Sequence, residues 1–241
     1  MNLTDFRVLS FDCYGTLIDW EAGITEGLRP LVARSKKQTT RDEVLQSYSH
    51  HEAALQADAP AMPYPEVLKN VYTLLARDWD IEAPPEEAEV FAKSIRNWPA
   101  FSDSPSALQY LKEHYKLIIL SNVDRESFKA SNAKLQVEFD YIFTAQDIGS
   151  YKPDPRNFEY LVARLREAGF EKSSILHTAQ SLFHDHFPAN QFGLASAWID
   201  RRHEQGGFGA TPTLANSPRY DFRFTSLGKM AQAHREIVTG G

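Results

Sequence analysis

A single cysteine, Cys13, stands in a chain of 241 residues, so no intramolecular disulfide can form. That fits a reducing compartment. Long apolar runs are missing as well. The longest are strand-sized, far short of the roughly 20 residues that a membrane span needs. Met1 to Arg7 show no basic stretch leading into a long apolar one, so no secretory signal is read and a cytoplasmic location is expected. Positive charge is not in excess either. Lys and Arg number 26 against 32 Asp and Glu, a formal net charge of -6, which argues against a nucleic-acid partner. A small anionic substrate stays open, because a basic pocket can sit on an acidic protein. Internal repeats and low-complexity segments are absent. The length suffices to bury a full core without disulfides or structural metal, as one large domain or as a core plus a smaller one.

What is present is alternation. Phe6 to Phe11 is short, apolar and rich in strand formers, and it runs into Asp12 with Gly15-Thr16 as a turn. Leu117 to Leu120, Tyr141 to Thr144, Ile175 to Thr178 and Ala195 to Ile199 read as further strands. Helical spacing over Ser104 to Lys116 and Pro155 to Gly169 separates some of them. Strands alternating with helices imply an α/β fold with a parallel, Rossmann-like sheet. The stretch from about Trp20 to Ala100 breaks that pattern. It predicts helices over Ile24 to Ser35, Arg41 to Ala57, Pro65 to Trp79 and Pro84 to Ser94, punctuated by proline clusters. We therefore expect a core built from residues 1–19 and 96–241. A helical cap, residues 20–95, is inserted over the carboxyl edge of the strands, where such sheets bind ligands.

Polar residues cluster at the ends of separate strands: Asp12, Ser121-Asn122 and Gln180-Ser181, with Lys152 shortly after the third strand. In a parallel sheet these ends meet at one edge. A nucleophile, hydroxyl and amide donors and a cation are then brought together. His177, His184 and His186 do not have a zinc spacing, and no cysteine lies near them. His184 and His186 are expected beside the pocket. Cys13 reads as a buried inert thiol.

Phe11-Asp12-Cys13-Tyr14-Gly15-Thr16-Leu17 resembles the first motif of the haloacid dehalogenase superfamily. Leu120-Ser121-Asn122, Tyr151-Lys152-Pro153-Asp154-Pro155 and Gln180 to Asp185 resemble its second, third and fourth, and order and spacing match across nearly the whole chain. The resemblance implies a hydrolase with Asp12 as covalent nucleophile, Lys152 balancing charge, and Asp185 orienting or activating the water. It also implies Ser121, Asn122 and Ser181 on the substrate. Thr16 is a plausible partner of the Asp12 carboxylate. Tyr14 decides the subclass: phosphatases of the superfamily usually carry a second Asp there as general acid, and a phenol with a pKa near ~10 suits that role poorly. Gln180 in place of a ligand acid implies no metal cofactor. Both features resemble the 2-haloacid dehalogenase branch, whose substrate is a small carboxylate.

Two features depart from that branch. The cap helix around Leu45 to Glu52 lacks the arginine that receives the halide, leaving Arg34 or Arg41 to reach in, and Leu182 stands where the branch resembles an Asn. The branch includes a hydrolase that opens L-azetidine-2-carboxylate, and His50, His51 or Glu52 is placed to assist an amine leaving group. The expected cap contacts to substrate are the helix face bearing Tyr48, His51 and Glu52, together with Trp20 at the hinge. A magnesium-dependent phosphatase and a non-catalytic binding module remain as alternatives. Oligomeric state is open, with room for a homodimer.

Overall fold

The computed structural model describes residues 1–36, 39–207, 209–212, 214 and 216–240. Six parallel strands form one sheet in the order β3-β2-β1-β4-β5-β6. They are β1 (Val8–Phe11), β2 (Lys116–Ser121), β3 (Tyr141–Thr144), β4 (Ile175–Ala179), β5 (Ala195–Ile199) and β6 (Phe222–Phe224). Strands β1 and β4 are buried at every position and β2 at all but Lys116, because both faces of the sheet are covered, as in parallel sheets generally. Leu9, Phe11, Leu117 and Ile119 point into one apolar layer, shared with Leu227 and Met230. Val8, Ile118, Leu120 and Ile175 point into the other, against Phe158, Leu161 and Leu165.

Between β1 and β2 the chain forms α1 (Trp20–Val32), α2 (Arg41–Asp58), α3 (Tyr64–Asp78), α4 (Pro85–Ala92) and α5 (Ser104–Lys112). Later helices are α6 (Arg125–Leu135), α7 (Ala145–Ile148), α8 (Pro155–Glu167), α9 (Phe187–Gln191) and α10 (Leu227–Thr239). Local chemistry starts them where they start. Thr40 caps α2 in a reciprocal arrangement with Glu43, and Asp19 accepts from the Ala22 N–H to open α1. That cap starts α1 at Trp20, four residues before the periodicity predicts. Strand β6 and helices α6 and α10 are additions to the sequence reading. Helix α6 is polar and rich in Ser and Asn, poor helix formers, and its start depends on Asp124 capping Ser127. Among the described residues no helix is long and apolar enough to cross a membrane.

Helix α2 decides what faces the sheet edge. Its buried side carries Val44, Leu45, Tyr48, Ser49, Glu52 and Gln56, apolar at one end and polar at the other. Arg202, after β5, ties this helix and α1 to the sheet through Asp42 (2.9 Å) and Glu21 (2.5 Å). Gly23 in α1 lies against the Trp98 ring. A Cβ there would meet Trp98 at 2.2 Å, where ring carbons cannot yield. Gly to Ala inside a helix normally stabilises by about 1 kcal/mol. Here Gly23→Ala is expected to destabilise by about 1–3 kcal/mol. A urea midpoint at or above that of the wild type would contradict the packing.

Candidate active site

Strand β1 delivers Asp12 to the carboxyl edge, where its N–H donates to the Thr178 carbonyl of β4 (3.1 Å). Lys152 reaches the same point from the loop after β3. Its Nζ donates to Asp12 Oδ1 (2.9 Å), Asp185 Oδ1 (2.7 Å) and the Leu120 carbonyl (2.9 Å). All three ammonium donors are thereby engaged. Thr16 donates to the other Asp12 oxygen at 2.6 Å and is itself held by the Gln180 N–H. His177 links Asp185 Oδ1 (2.9 Å) to Ser10 Oγ (2.9 Å). Asp12, Lys152, His177 and Asp185 are all buried.

The electrostatics follow from one cation between two carboxylates. Burial pulls the Lys152 ammonium down, but Asp12 and Asp185 more than offset this and raise it. Burial works against the Asp185 carboxylate too, yet Lys152 and His177 hold it well below the usual carboxylate range. Asp12 is raised by its burial and by the Asp185 charge, against the pull of Lys152 and Thr16. The second oxygen of Asp185 is buried with no hydrogen-bond partner among the described residues. Such an atom is costly unless something polar meets it, so it marks a place for water or substrate.

A cavity of about 30 Å³ opens onto this cluster. Asp12, Tyr14, Asn122, Val123, Lys152, Ser181, His184 and Asp185 line its sheet side, and Trp20, Glu52, Gln56 and Tyr64 its helical side. That volume holds a water or two, not an organic acid. A second cavity of about 360 Å³ adjoins it through Gln56, Lys152 and His184.

The expected site residues divide into three groups. Asp12, Tyr14, Trp20, Asn122, Lys152, Ser181 and Asp185 all line the cavity. Thr16 and Ser121 lie behind it. Thr16 touches Asp12, and the Ser121 hydroxyl is buried without a partner among the described residues. Tyr48 is also set back, its hydroxyl donating to Glu52 and its ring edge-on to Trp20. His51 is a correction: it lies off the cavity, 2.7 Å from Asp78 on α3. One residue is about 100° of helical turn, so of these two neighbours Glu52 meets the cavity and His51 does not. Tyr14 walls the cavity with its ring, while its hydroxyl is turned to Ser131 (2.9 Å) and to the Ser127 carbonyl of α6 and burial pushes its pKa well above 10. The Asn122 amide is likewise committed, gripping Lys152 by its N–H (2.7 Å) and its carbonyl (3.0 Å).

Glu52, expected on the contact face of the cap, lines the cavity, and Gln56, Tyr64 and Val123 line it without having been expected. His184 is buried and lowered to about 4, hence neutral, while His186 bonds Ser196 and the Ala179 carbonyl away from the cavity. Gln180 faces a separate recess with Gly15, Arg201 and Arg202. A magnesium ion prefers several carboxylate oxygens around an octahedron. Here the two nearest carboxylates close on Lys152, and among the described residues no group of three or more His, Cys, Asp or Glu is placed to hold a metal ion. The donor set does not fit that ion.

A family model for haloacid dehalogenase-like hydrolases matches residues 6–177, covering β1 through the first half of β4. The chain belongs to that family. Over 104 residues it is 36% identical to an (S)-2-haloacid dehalogenase of Pseudomonas sp. strain YL. That match spans 42% of this chain and 43% of the relative, less than half of each. It is 24% identical over 221 residues to (S)-2-haloacid dehalogenase 4A of Burkholderia cepacia, covering 90% and 87% of the two chains. The fold resembles a defluorinating L-2-haloacid dehalogenase at a TM-score of 0.77 and 20% identity, over 97% of this chain and 98% of that one. It also resembles the Xanthobacter autotrophicus L-2-haloacid dehalogenase with chloropropionic acid covalently bound, at 0.74 and 18%, over 95% and 98%. As a haloacid dehalogenase-like hydrolase the chain is an enzyme, with an all-parallel α/β core.

Removing Lys152 from this site leaves two buried carboxylates facing each other. Lys152→Ala is expected to cost about 3–5 kcal/mol of stability at pH 8. Without the ammonium, both carboxyls have folded-state pKa values raised above their unfolded ones. The stability such groups contribute is full at low pH and lost as pH rises through the folded values. The variant should therefore recover part of the loss between pH 8 and pH 5. Urea titrations at both pH values that showed an equal deficit would count against the ion cluster.

Proposed function

We propose that this protein is a hydrolase that displaces a leaving group from the α-carbon of a small 2-substituted carboxylic acid through an ester on Asp12. The observation that carries the reading is the grip on Asp12: Lys152 holds one oxygen and Thr16 the other. Together they keep the carboxylate charged and aimed despite its burial. In the first half-reaction an Asp12 oxygen bonds to the α-carbon, and the bond to the leaving group breaks with its electron pair. In the second, water adds to the Asp12 carboxyl carbon and the acyl–oxygen bond breaks. The 2-hydroxy acid departs carrying an oxygen that belonged to Asp12.

Asp185 serves the second step. Its low pKa makes it a weak base, so it orients the water through its unpartnered oxygen rather than storing the proton. Ser121 and Ser181 are the hydroxyls nearest the β2 and β4 ends for the substrate carboxylate. The helical block, residues 20–95, acts as a cap. The closed cavity excludes water while Asp12 attacks, and the cap must lift to admit substrate, with the adjoining larger cavity as the way in. Phosphate transfer is disfavoured, since no acid stands two residues beyond Asp12 and the metal donors do not fit. The buried free thiol of Cys13 suits a cytoplasmic enzyme.

A second reading of the leaving group has its own support. No arginine lines the cavity among the described residues, and the helical wall presents a carboxyl. Hydrolytic opening of L-azetidine-2-carboxylate uses the same Asp12 ester with a nitrogen in place of the halide.

Asp12→Asn should abolish turnover while leaving the thermal midpoint near that of the wild type, because an amide is nearly isosteric but a far weaker nucleophile. Wild-type enzyme cycling in ¹⁸O-water should gain label at Asp12, read by mass spectrometry of the peptide. Turnover that left Asp12 unlabelled would rule out the ester. Exhaustive dialysis against a chelator is expected to leave the rate unchanged; a complete loss restored by Mg²⁺ would support the phosphatase alternative.

A further inference from the structure

One carboxyl on the helical wall has no part in the Asp12 chemistry. Glu52 lies in α2, buried, and it lines the same small cavity as Asp12 and Lys152. Two phenols hold it: Tyr48 donates to Oε1 at 2.9 Å and Tyr64 donates to the same oxygen at 2.8 Å. Among the described residues no hydrogen bond falls on Oε2. The group is therefore fixed through one oxygen and free through the other, at the wall facing the nucleophile.

We propose that Glu52 is the specificity-determining residue for the leaving group: its carboxylate receives a cationic nitrogen on the carbon that Asp12 attacks, so the site favours an amine over a halide. This rests on the covalent reading of Asp12. A departing halide carries off negative charge and needs a cation or free donors. The one cation lining the cavity among the described residues is Lys152, and its three donors are spent on Asp12, Asp185 and the Leu120 carbonyl. A carboxylate beside a leaving anion opposes its departure. With a protonated nitrogen the balance changes sign, because Glu52 pairs with the cation and holds the C–N bond in line with Asp12. When that bond breaks, the pair stays on nitrogen. The proton freed as water cleaves the ester then goes to the amine, which restores the ammonium. Since the ion pair exists before the bond breaks, it acts mainly on binding rather than on the chemical step.

The pairing depends on pH in a defined direction. Burial pushes Glu52 up to about 7, against the hydrogen bonds from Tyr64 and Tyr48. The other groups around it keep their charge state near neutrality. Tyr48, Tyr64 and Tyr151, the last in the loop after α7, are all pushed well above the usual phenol range by their burial. Across the cavity His184 stays neutral and Lys152 stays charged between its two carboxylates. Glu52 is thus the group that changes charge near pH 7, being an anion above it and a neutral acid below.

Binding gives the first test. Asp12→Asn, which cannot turn over, is titrated calorimetrically with L-azetidine-2-carboxylate at pH 6 and pH 8. Affinity should be about tenfold higher at pH 8, and Asp12→Asn combined with Glu52→Gln should show no such difference. Glu52→Gln keeps an oxygen to accept from both phenols, and Glu52→Asp keeps the charge and should keep the pH dependence. In turnover, Glu52→Gln should raise KM for the ammonium substrate at least tenfold with a smaller change in kcat. Chloride release from 2-chloropropionate should fall less than turnover of the ammonium substrate, because no ion pair is lost there. Equal loss on both substrates, or pH-independent binding in Asp12→Asn, would overturn the role of Glu52. Label from ¹⁸O-water reports on Asp12 separately: an unlabelled Asp12 sinks the ester, while the binding titration still decides Glu52.

Discussion

The site is organised around one ammonium placed between two buried carboxylates. Taking three charges out of water costs several kcal/mol per ion before any attraction is counted. Good geometry and saturated hydrogen bonds offset that cost, and the surroundings of Lys152 supply both. Its Nζ spends every donor, its backbone is clamped on both sides by Asn122, and the second carboxylate is held by His177 against Ser10. These partners lie in β1, β2 and β4 or just beyond their carboxyl ends. The parallel sheet is what allows it: residues far apart in sequence, from Ser10 to Asp185, arrive at one edge because all six strands point the same way.

The ammonium takes one oxygen of each carboxylate, and among the described residues no group of three or more His, Cys, Asp or Glu is placed there to hold a metal ion. What the ammonium cannot do is accept a second task. With its donors saturated it holds and charges Asp12 but offers nothing to a departing anion. On the proposed mechanism the leaving group would then meet the helical wall, which carries Trp20, Glu52, Gln56 and Tyr64.

Much of the sheet side was legible from sequence because its signals are local. An apolar run ending in Asp12, another ending in Ser121-Asn122, and Lys152 after the third define strand ends without any knowledge of packing. Their convergence follows from topology alone. The committed state of those groups was not legible. Nothing in the sequence says that the Tyr14 hydroxyl turns to Ser131 or that the Asn122 amide is used on Lys152, since both depend on contacts across more than 25 positions. Helix α6 was missed for a related reason: its composition is poor in helix formers, and tertiary contacts with its Phe128 and Leu135 complete what propensity does not.

The helical wall was hardest to read, and the reason is instructive about α2. An amphipathic helix declares its buried face by apolar spacing. Helix α2 buries Ser49, Glu52 and Gln56 along with Val44, Leu45 and Tyr48, so its stripe fades toward the cavity. The sequence therefore puts neighbours His51 and Glu52 on one contact face, and only the packing separates them, with Glu52 on the cavity and His51 off it. His51, paired with Asp78 at the edge of the helical block, contributes to the α2–α3 contact. Glu52, buried and anchored by two phenols, is held where burial is least favourable for a carboxylate. It accepts from two buried hydroxyls through one oxygen, and it lines the same cavity as Asp12.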